Sequence, residues 1–415
     1  MAFRTLNVHY VLTVRSRGRQ TWLLTLTMSA QRAPCDIKGC TTLKIARSKS
    51  TALAALAGAL ALTLSACQSG PQGDGANGGQ TTDSSSSQNS GSGLSGTLNG
   101  SGASSQANAQ QAWRDNFRNI ESGITVNYEA TGSGTGRQQF LGGQVAFAAS
   151  DAELSADERT EAEKRCGEVI ELPVYISPIA VAYNLPGVDK LNLTAENVAD
   201  IFSGKIKKWD DASIAKNNDG VELPSLDIIP VNRADKSGTT ENFTAYLAAA
   251  APSAWAHEAA ETWPIEGTQS AEKTTGVVQL ATSTEGAITY ADASQIKDLK
   301  AANIDVNGEF LAYSPEAAAA LVDGSPASEL ASDTSLTFDL LRDGSIKDAY
   351  PIVMVSYLIG CQTYEDASTA ANVQAYFTYV ASAEGQQVAT EAGAGNAPIS
   401  EELRTKVQAA IDTIK

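Results

Sequence analysis

Beyond about residue 95 the chain alternates short apolar runs with stretches whose apolar positions recur at helical spacing. Residues 96–100 predict a strand, and 105–119 a helix with Ala109, Ala112, Trp113 and Phe117 on one face. Strands follow at 125–128 and 145–149, separated by a Gly/Ser/Thr loop and a helix over 137–141. The run 169–183 is apolar almost throughout and predicts a strand that passes from one part of the fold into the next. A helix at 196–202, a strand at 226–231 and a helix at 241–249 come next. Late strands at 285–290 and 351–359 precede closing helices at 370–381 and 401–414. Strand–helix alternation of this kind argues for an α/β fold. About 320 residues are enough for two domains of ordinary size.

The N-terminal part reads differently. Lys44, Arg47 and Lys49 precede an apolar stretch, 52–64, that is short for a membrane span. Leu64, Ser65, Ala66 and Cys67 then resemble a lipobox, which predicts a lipoprotein signal peptide over 43–66 and lipid attachment at Cys67. Residues 67–93 are rich in Gly, Ser, Asn and Gln, a flexible tether reaching on the order of 25–30 Å. An ordinary secretory signal would need no such tether. Residues 1–42 do not fit this plan and are read as a misassigned N-terminal extension, outside the fold.

Composition narrows the function. The chain carries 30 Lys+Arg and 47 Asp+Glu, for a net charge of −17. From Cys67 onward, 21 basic residues stand against 46 acidic ones. This balance argues against nucleic acid and anionic membrane surfaces as partners. An anionic ligand would have to be held by a local pocket against the global field. Once Cys35, Cys40 and Cys67 are set aside, Cys166 and Cys361 remain. They are open to two readings, a disulfide or two separate buried thiols. Beyond Cys67 the chain has one histidine, His257, and no cluster with metal-ligand spacing. Neither a bound metal nor a cofactor is expected.

Three strand-to-helix turns carry the candidate chemistry. The first contains Ser104, read as an N-cap, and Ser105. The second, Thr131 to Gly136, places Ser133 where a hydroxyl and a backbone N–H face one point. The third runs from Arg233 to Thr239. Its guanidinium can grip an oxyanion with two parallel hydrogen bonds. Ser237 and Thr239 add hydroxyl donors there, and Gly238 lets a ligand approach the backbone. Helix N-termini expose unpaired N–H groups and partial positive charge, so anions settle there. Each turn alone reads as a capped helix; three together favour one anion site. Asp151 sharpens the picture. A carboxylate beside an anion helps only if the anion brings a proton, as hydrogen phosphate does and sulfate does not. Asp235, two residues after Arg233, is placed to steady the guanidinium.

Together these segments resemble the phosphate-binding proteins of Pst-type phosphate ABC transporters. The resemblance runs from about residue 95 to 415. Its marks include the spacing from Gly100 to Trp113, Val126-Asn127-Tyr128, Ala149-Ser150-Asp151 and the run from Ile201 to Asp211. Arg233 to Thr239 and Gly286 to Tyr290 complete them. It implies a type II periplasmic-binding-protein-like α/β fold: two lobes joined by crossing strands and closing over a dehydrated phosphate. The expected lobes are 94–178 with 350–415, and 179–349. The implied contacts are Ser104, Ser105, Ser133, Asp151, Arg233, Ser237, Gly238 and Thr239. The resemblance further implies a monomeric, non-enzymatic lipoprotein on the extracytoplasmic face of the cell membrane. It would pass phosphate to transmembrane permease subunits.

Two departures stand out. Ser104-Ser105-Gln106 occupies a place where the family commonly has Thr-Phe-Pro or Ser-Phe-Pro, and Lys236 one that is often Gly. Lys236 is expected to add positive potential near the mouth of the site. The alternatives are the same fold tuned to sulfate or molybdate, or an exported phosphatase. A phosphatase would need a nucleophile with a base, or a metal. The Ser213-x-x-Lys216 pattern lacks the companion elements of penicillin-interactive enzymes.

Overall fold

The computed structural model describes residues 93–415 and two N-terminal strands. Those strands, Asn7–Thr13 and Leu23–Ser29, pair antiparallel from Asn7 opposite Ser29 to Thr13 opposite Leu23. They fall in one unit, Met1–Asp83, and all that follows in another, Ser84–Lys415. The signal segment, Cys67 and the tether up to residue 92 lie outside the described residues.

The second unit begins as an alternation. Strand β1 (Gly96–Gly102) leads to helix α1 (Ala107–Ile120), which buries Trp113 and Phe117. Strand β2 (Ile124–Glu129) leads to α2 (Ser133–Leu141), and β3 (Phe147–Ser150) to α3 (Ala156–Cys166). The long apolar run becomes β4 (Val169–Tyr183), buried at every position. Then come β5 (Ile229–Arg233), α4 (Gly238–Ala250), β6 (Gln269–Ala271) and α5 (Lys273–Thr282). The strands β7 (Ala287–Asp292), β8 (Lys300–Ala301) and β9 (Val353–Cys361) complete the sheet. Its order is β2-β1-β3-β9-β4-β7-β5-β6, with β8 beside β4.

Parallel pairs joined by helices lie at both ends of this order, and antiparallel pairs at its centre. The strand β4 changes partner midway: residues from Val169 to Pro178 pair with β9, and those from Ile179 to Tyr183 with β7. One strand thus serves two half-sheets, and the chain re-enters the first half at Val353, opposite Pro178. The register of β9 on β4 slips between Ser356 and Tyr357, a β-bulge in the middle of the crossing pair. Cys166, at the end of α3, is disulfide-bonded to Cys361, at the end of β9.

Several elements differ from expectation at their edges. The strand expected at 145–149 runs from Phe147 to Ser150, and that expected at 226–231 from Ile229 to Arg233. Leu226 and Asp227 instead pair with the Lys208–Trp209 segment, which takes them off the main sheet. The helix expected to start at Arg137 already starts at Ser133, because Gly132 (φ 99°) turns the chain abruptly into it. Among the helices that went unforeseen are α3, α5, Pro315–Asp323 and Ala383–Ala389. In α3 the capping box between Ser155 and Glu158 is a sequence signal, but only Ala162 and Cys166 are buried, so no apolar stripe announces it.

Candidate functional site

Asp151 follows β3 directly and is 3% exposed. Its Oδ1 accepts from the Ser105 and Ser356 hydroxyls, each at 2.6 Å, and its Oδ2 from the Thr239 hydroxyl at 3.0 Å. The Asp151 N–H donates to Ser133 Oγ at 3.1 Å, and its carbonyl accepts from Asn242 Nδ2 at 2.7 Å. Burial raises the carboxyl pKa, while the three hydroxyls and the charge of Arg233 pull against that rise; burial wins. An ionised carboxylate offers about four lone-pair positions. Three are taken here, and the fourth, on Oδ2, can accept a proton carried by a ligand.

Arg233 ends β5 and is equally buried. Its Nε donates to Asp235 Oδ1 at 2.8 Å and its Nη2 to Oδ2 at 2.5 Å, a two-pronged contact. The same Oδ1 accepts the Lys273 N–H at 2.9 Å. Burial works to raise the Asp235 pKa, but Arg233 overcomes it and the carboxyl lies below its usual range. The guanidinium spends its Nε edge on Asp235, which leaves the Nη1 side for an anion. The Arg233 N–H donates to the Tyr290 hydroxyl at 3.2 Å, and that hydroxyl is 2.8 Å from Thr240 Oγ1. A stack of Phe243, Trp263 and Tyr290 underlies this end of the sheet.

Helix α4 starts at the same place. Ser237 is its N-cap, with Oγ accepting the Thr240 N–H at 3.2 Å. A Cβ on Gly238 would come within 2.7 Å of Asp151 Cβ and 2.9 Å of the Ala152 nitrogen, so the two half-sheets touch here through backbone. Gly238→Ala is expected to destabilise the fold by about 1–3 kcal/mol through overpacking, read as a lowered midpoint of thermal unfolding. Gly132 plays the same part opposite: a Cβ there would lie 2.6 Å from Asp235 Oδ2.

The structure thus gathers Ser105, Ser133, Thr239 and Gly238 around Asp151, with the charge of Arg233 acting on the same carboxyl. Ser104 requires correction. It is not the N-cap of α1: a turn intervenes, the helix starts at Ala107, and its N-cap Gln106 makes no side-chain cap bond. The Ser104 hydroxyl instead meets Thr274 Oγ1 at 3.0 Å and accepts the Thr274 N–H at 3.1 Å, capping nothing on its own helix. Gln295 holds the turn from across the sheet by donating to the carbonyls of Ser104 and Ser105. Lys236 is also corrected. Its ammonium is 2.8 Å from Glu261 and 3.9 Å from Glu158, so its charge is matched locally.

Two groups escaped the sequence reading. One is Ser356, hidden in the apolar strand β9. The other is Arg137 on α2, which is buried and forked onto Glu261 (2.8 and 2.6 Å) while its Nε faces Glu158. Glu261 keeps its charge despite burial because Arg137 and Lys236 hold its pKa down. Asp211 caps the short helix Ala212–Ala215, and Ser213 donates its N–H and hydroxyl to that carboxylate, an ordinary structural role.

A family model described as a PBP superfamily domain matches residues 82–384. The phosphate-binding protein PstS 3 of Mycobacterium tuberculosis is 35% identical over 359 residues, spanning 85% of this chain and 95% of that protein. PstS 2 of the same organism is 34% identical over 328 residues, 76% and 87% of the two chains. Among solved structures, a phosphate-binding protein from Stenotrophomonas maltophilia superposes with a TM-score of 0.62 at 22% identity, over 76% of this chain and 94% of that one. At that identity the likeness is one of fold.

Proposed function

The chain belongs to the family of PstS-type phosphate-binding proteins, within the PBP superfamily and its type II periplasmic-binding fold, and from that premise we propose that it captures hydrogen phosphate for an ABC-transporter permease. The observation that carries the reading is Asp151. It is a buried carboxylate with one acceptor position left, set among the N-terminal turns of α2 and α4 and under the charge of Arg233. Donors alone would suit any oxyanion. A carboxylate among them suits one that still carries a proton, and repels sulfate or molybdate.

In this reading Arg233 Nη1, the Ser133 hydroxyl and the backbone N–H groups of Gly238 and Thr239 grip the phosphate oxygens, while Asp151 Oδ2 accepts its proton; Ser105 and Thr239 give their hydroxyl hydrogens to Asp151 and so fix the carboxylate beside the ion. Ser104 contributes through its backbone, since its hydroxyl is committed to Thr274. The lobes are 94–178 with 350–415, and 179–349, and β4 is the strand on which they turn. Lipid on Cys67 and the tether keep the domain at the extracytoplasmic face of the membrane. The protein binds phosphate and leaves it unaltered. No described helix is long and apolar enough to cross a membrane.

The test is titration calorimetry on residues 93–415, freed of bound phosphate by unfolding and refolding. Wild-type protein is expected to bind phosphate one to one and give no heat with sulfate. Asp151→Asn is expected to bind phosphate only moderately more weakly, yet to admit sulfate. Continued exclusion of sulfate by that variant would remove Asp151 from the selectivity mechanism. Absence of phosphate binding by the folded wild type would refute the reading itself.

A further inference from the structure

Behind Asp151 a chain of buried hydrogen bonds runs into the core, and every donor in it points the same way. The Tyr376 hydroxyl donates to Gln110 Oε1 at 2.8 Å, and Gln110 Nε2 to Gln106 Oε1 at 2.9 Å. Gln106 Nε2 donates to Ser356 Oγ at 2.7 Å, and Ser356 Oγ to Asp151 Oδ1 at 2.6 Å. All five residues are buried. The direction is forced. Ser356 has one hydrogen, and because Gln106 occupies its oxygen as a donor, that hydrogen goes to Asp151. Each amide is then fixed by its predecessor, ending at a tyrosine hydroxyl. A protonated Asp151 donating to Ser356 would require both amides to turn over, and would bring Gln106 Oε1 to where its Nε2 now faces the Tyr357 carbonyl as well.

A second observation lies in the backbone. Ser356 sits where the register of β9 on β4 slips: Ser356 lies opposite Tyr175 and Tyr357 opposite Pro173, so Val174 is an extra residue on β4 and the ladder is disrupted beside Ser356. Gln106 and Gln110 are one turn apart at the start of α1, immediately after Ser105, which supplies the other donor to Oδ1.

We propose that Gln106, Gln110, Ser356 and Tyr376 are positioning residues that hold Asp151 as an ionised proton acceptor, and so set the acid limit at which the site takes hydrogen phosphate and refuses sulfate. This rests on the phosphate reading above. The groups that face Asp151 from the packed elements are Arg233 on β5 and Tyr128 on β2. Glu153, Glu241 and Arg342 join it around a cavity of about 250 Å³. Only Arg233 and the three hydroxyls oppose the effect of burial on its carboxyl. A donor removed from Oδ1 therefore raises the Asp151 pKa, protonates the group at higher pH and turns an acceptor into a donor.

The experiment measures phosphate affinity from pH 5 to 9, with sulfate as competitor, for wild type, Ser356→Ala and Gln106→Leu. Phosphate's own titration is common to all three and cancels in the ratios. In Ser356→Ala the acid fall in affinity is expected to move up by about one pH unit, a tenfold loss at a fixed pH on that limb. Gln106→Leu is expected to move it the same way by less. Sulfate should compete in both at pH values where it does not touch wild type. An equal loss at every pH, with sulfate still excluded, would mean that the chain only packs the core, and would overturn the inference. If Gln106→Leu does not fold, Ser356→Ala decides alone. Wild-type protein that binds no phosphate would instead sink the underlying reading, a separate result.

Discussion

Arg233→Ala is expected to weaken phosphate binding by roughly 3–5 kcal/mol, at least a hundredfold, while the domain remains folded. The anion enters a buried site, and Arg233 is the guanidinium whose charge acts on Asp151 there. Loss of that group strands the ligand charge and also Asp235, whose carboxyl keeps the Lys273 N–H as its other partner. Arg233→Lys should fall between, since it restores charge without the fork that meets Asp235 at two points. Calorimetric titration of the three proteins with phosphate gives the comparison. Near-normal affinity in Arg233→Ala would show that the helix N-termini of α2 and α4 suffice.

The second large effect concerns stability. The disulfide closes a loop spanning 195 residues, from Cys166 to Cys361. Loop-closure entropy puts the upper bound of its contribution near 5 kcal/mol, and native disulfides of this kind contribute about 2–5 kcal/mol. The double variant Cys166→Ala/Cys361→Ala should therefore unfold at distinctly lower denaturant concentration. Phosphate affinity should change little, because neither cysteine is among the groups that bond Asp151, Arg233 or α4. An unchanged midpoint would mean that the pairing of β9 with β4 and β3 holds the two ends without covalent help.

The turns of the site were legible in the sequence for a definite reason. Arg233, Ser237, Gly238, Thr239 and Ser133 stand at strand-to-helix junctions, where small and hydroxyl residues have few purposes besides capping and anion binding. The strand β4 was legible too, because 15 nearly continuous apolar residues leave few other choices. Ser356 was not. It lies within Val353–Cys361, a stretch that reads as core, and its role depends on a bulge that no local pattern announces. Nothing in the local pattern marks Gln106 and Gln110 as buried, because the Tyr376 hydroxyl that bonds Gln110 lies 266 residues away. Ser104 misled because residue type marks a cap well but cannot show that the chain makes another turn first. Partners separated by 124 residues, such as Arg137 and Glu261, fall outside any reading of neighbours.

That last pair has a consequence in time. Arg137 lies between β2 and β3 in the chain and Glu261 between β5 and β6, so a movement that parted the two half-sheets would have to pull this fork open. The fork does not touch Asp151, and it forms only as the halves meet. Its cost is met on the way out. If release of a bound ion needs the half-sheets to part, its residence time is expected to depend on this buried fork more than its rate of arrival does. Loosening Glu261 from Arg137, as in Glu261→Gln, is then expected to quicken loss of a bound ion while leaving the groups around Asp151 in place.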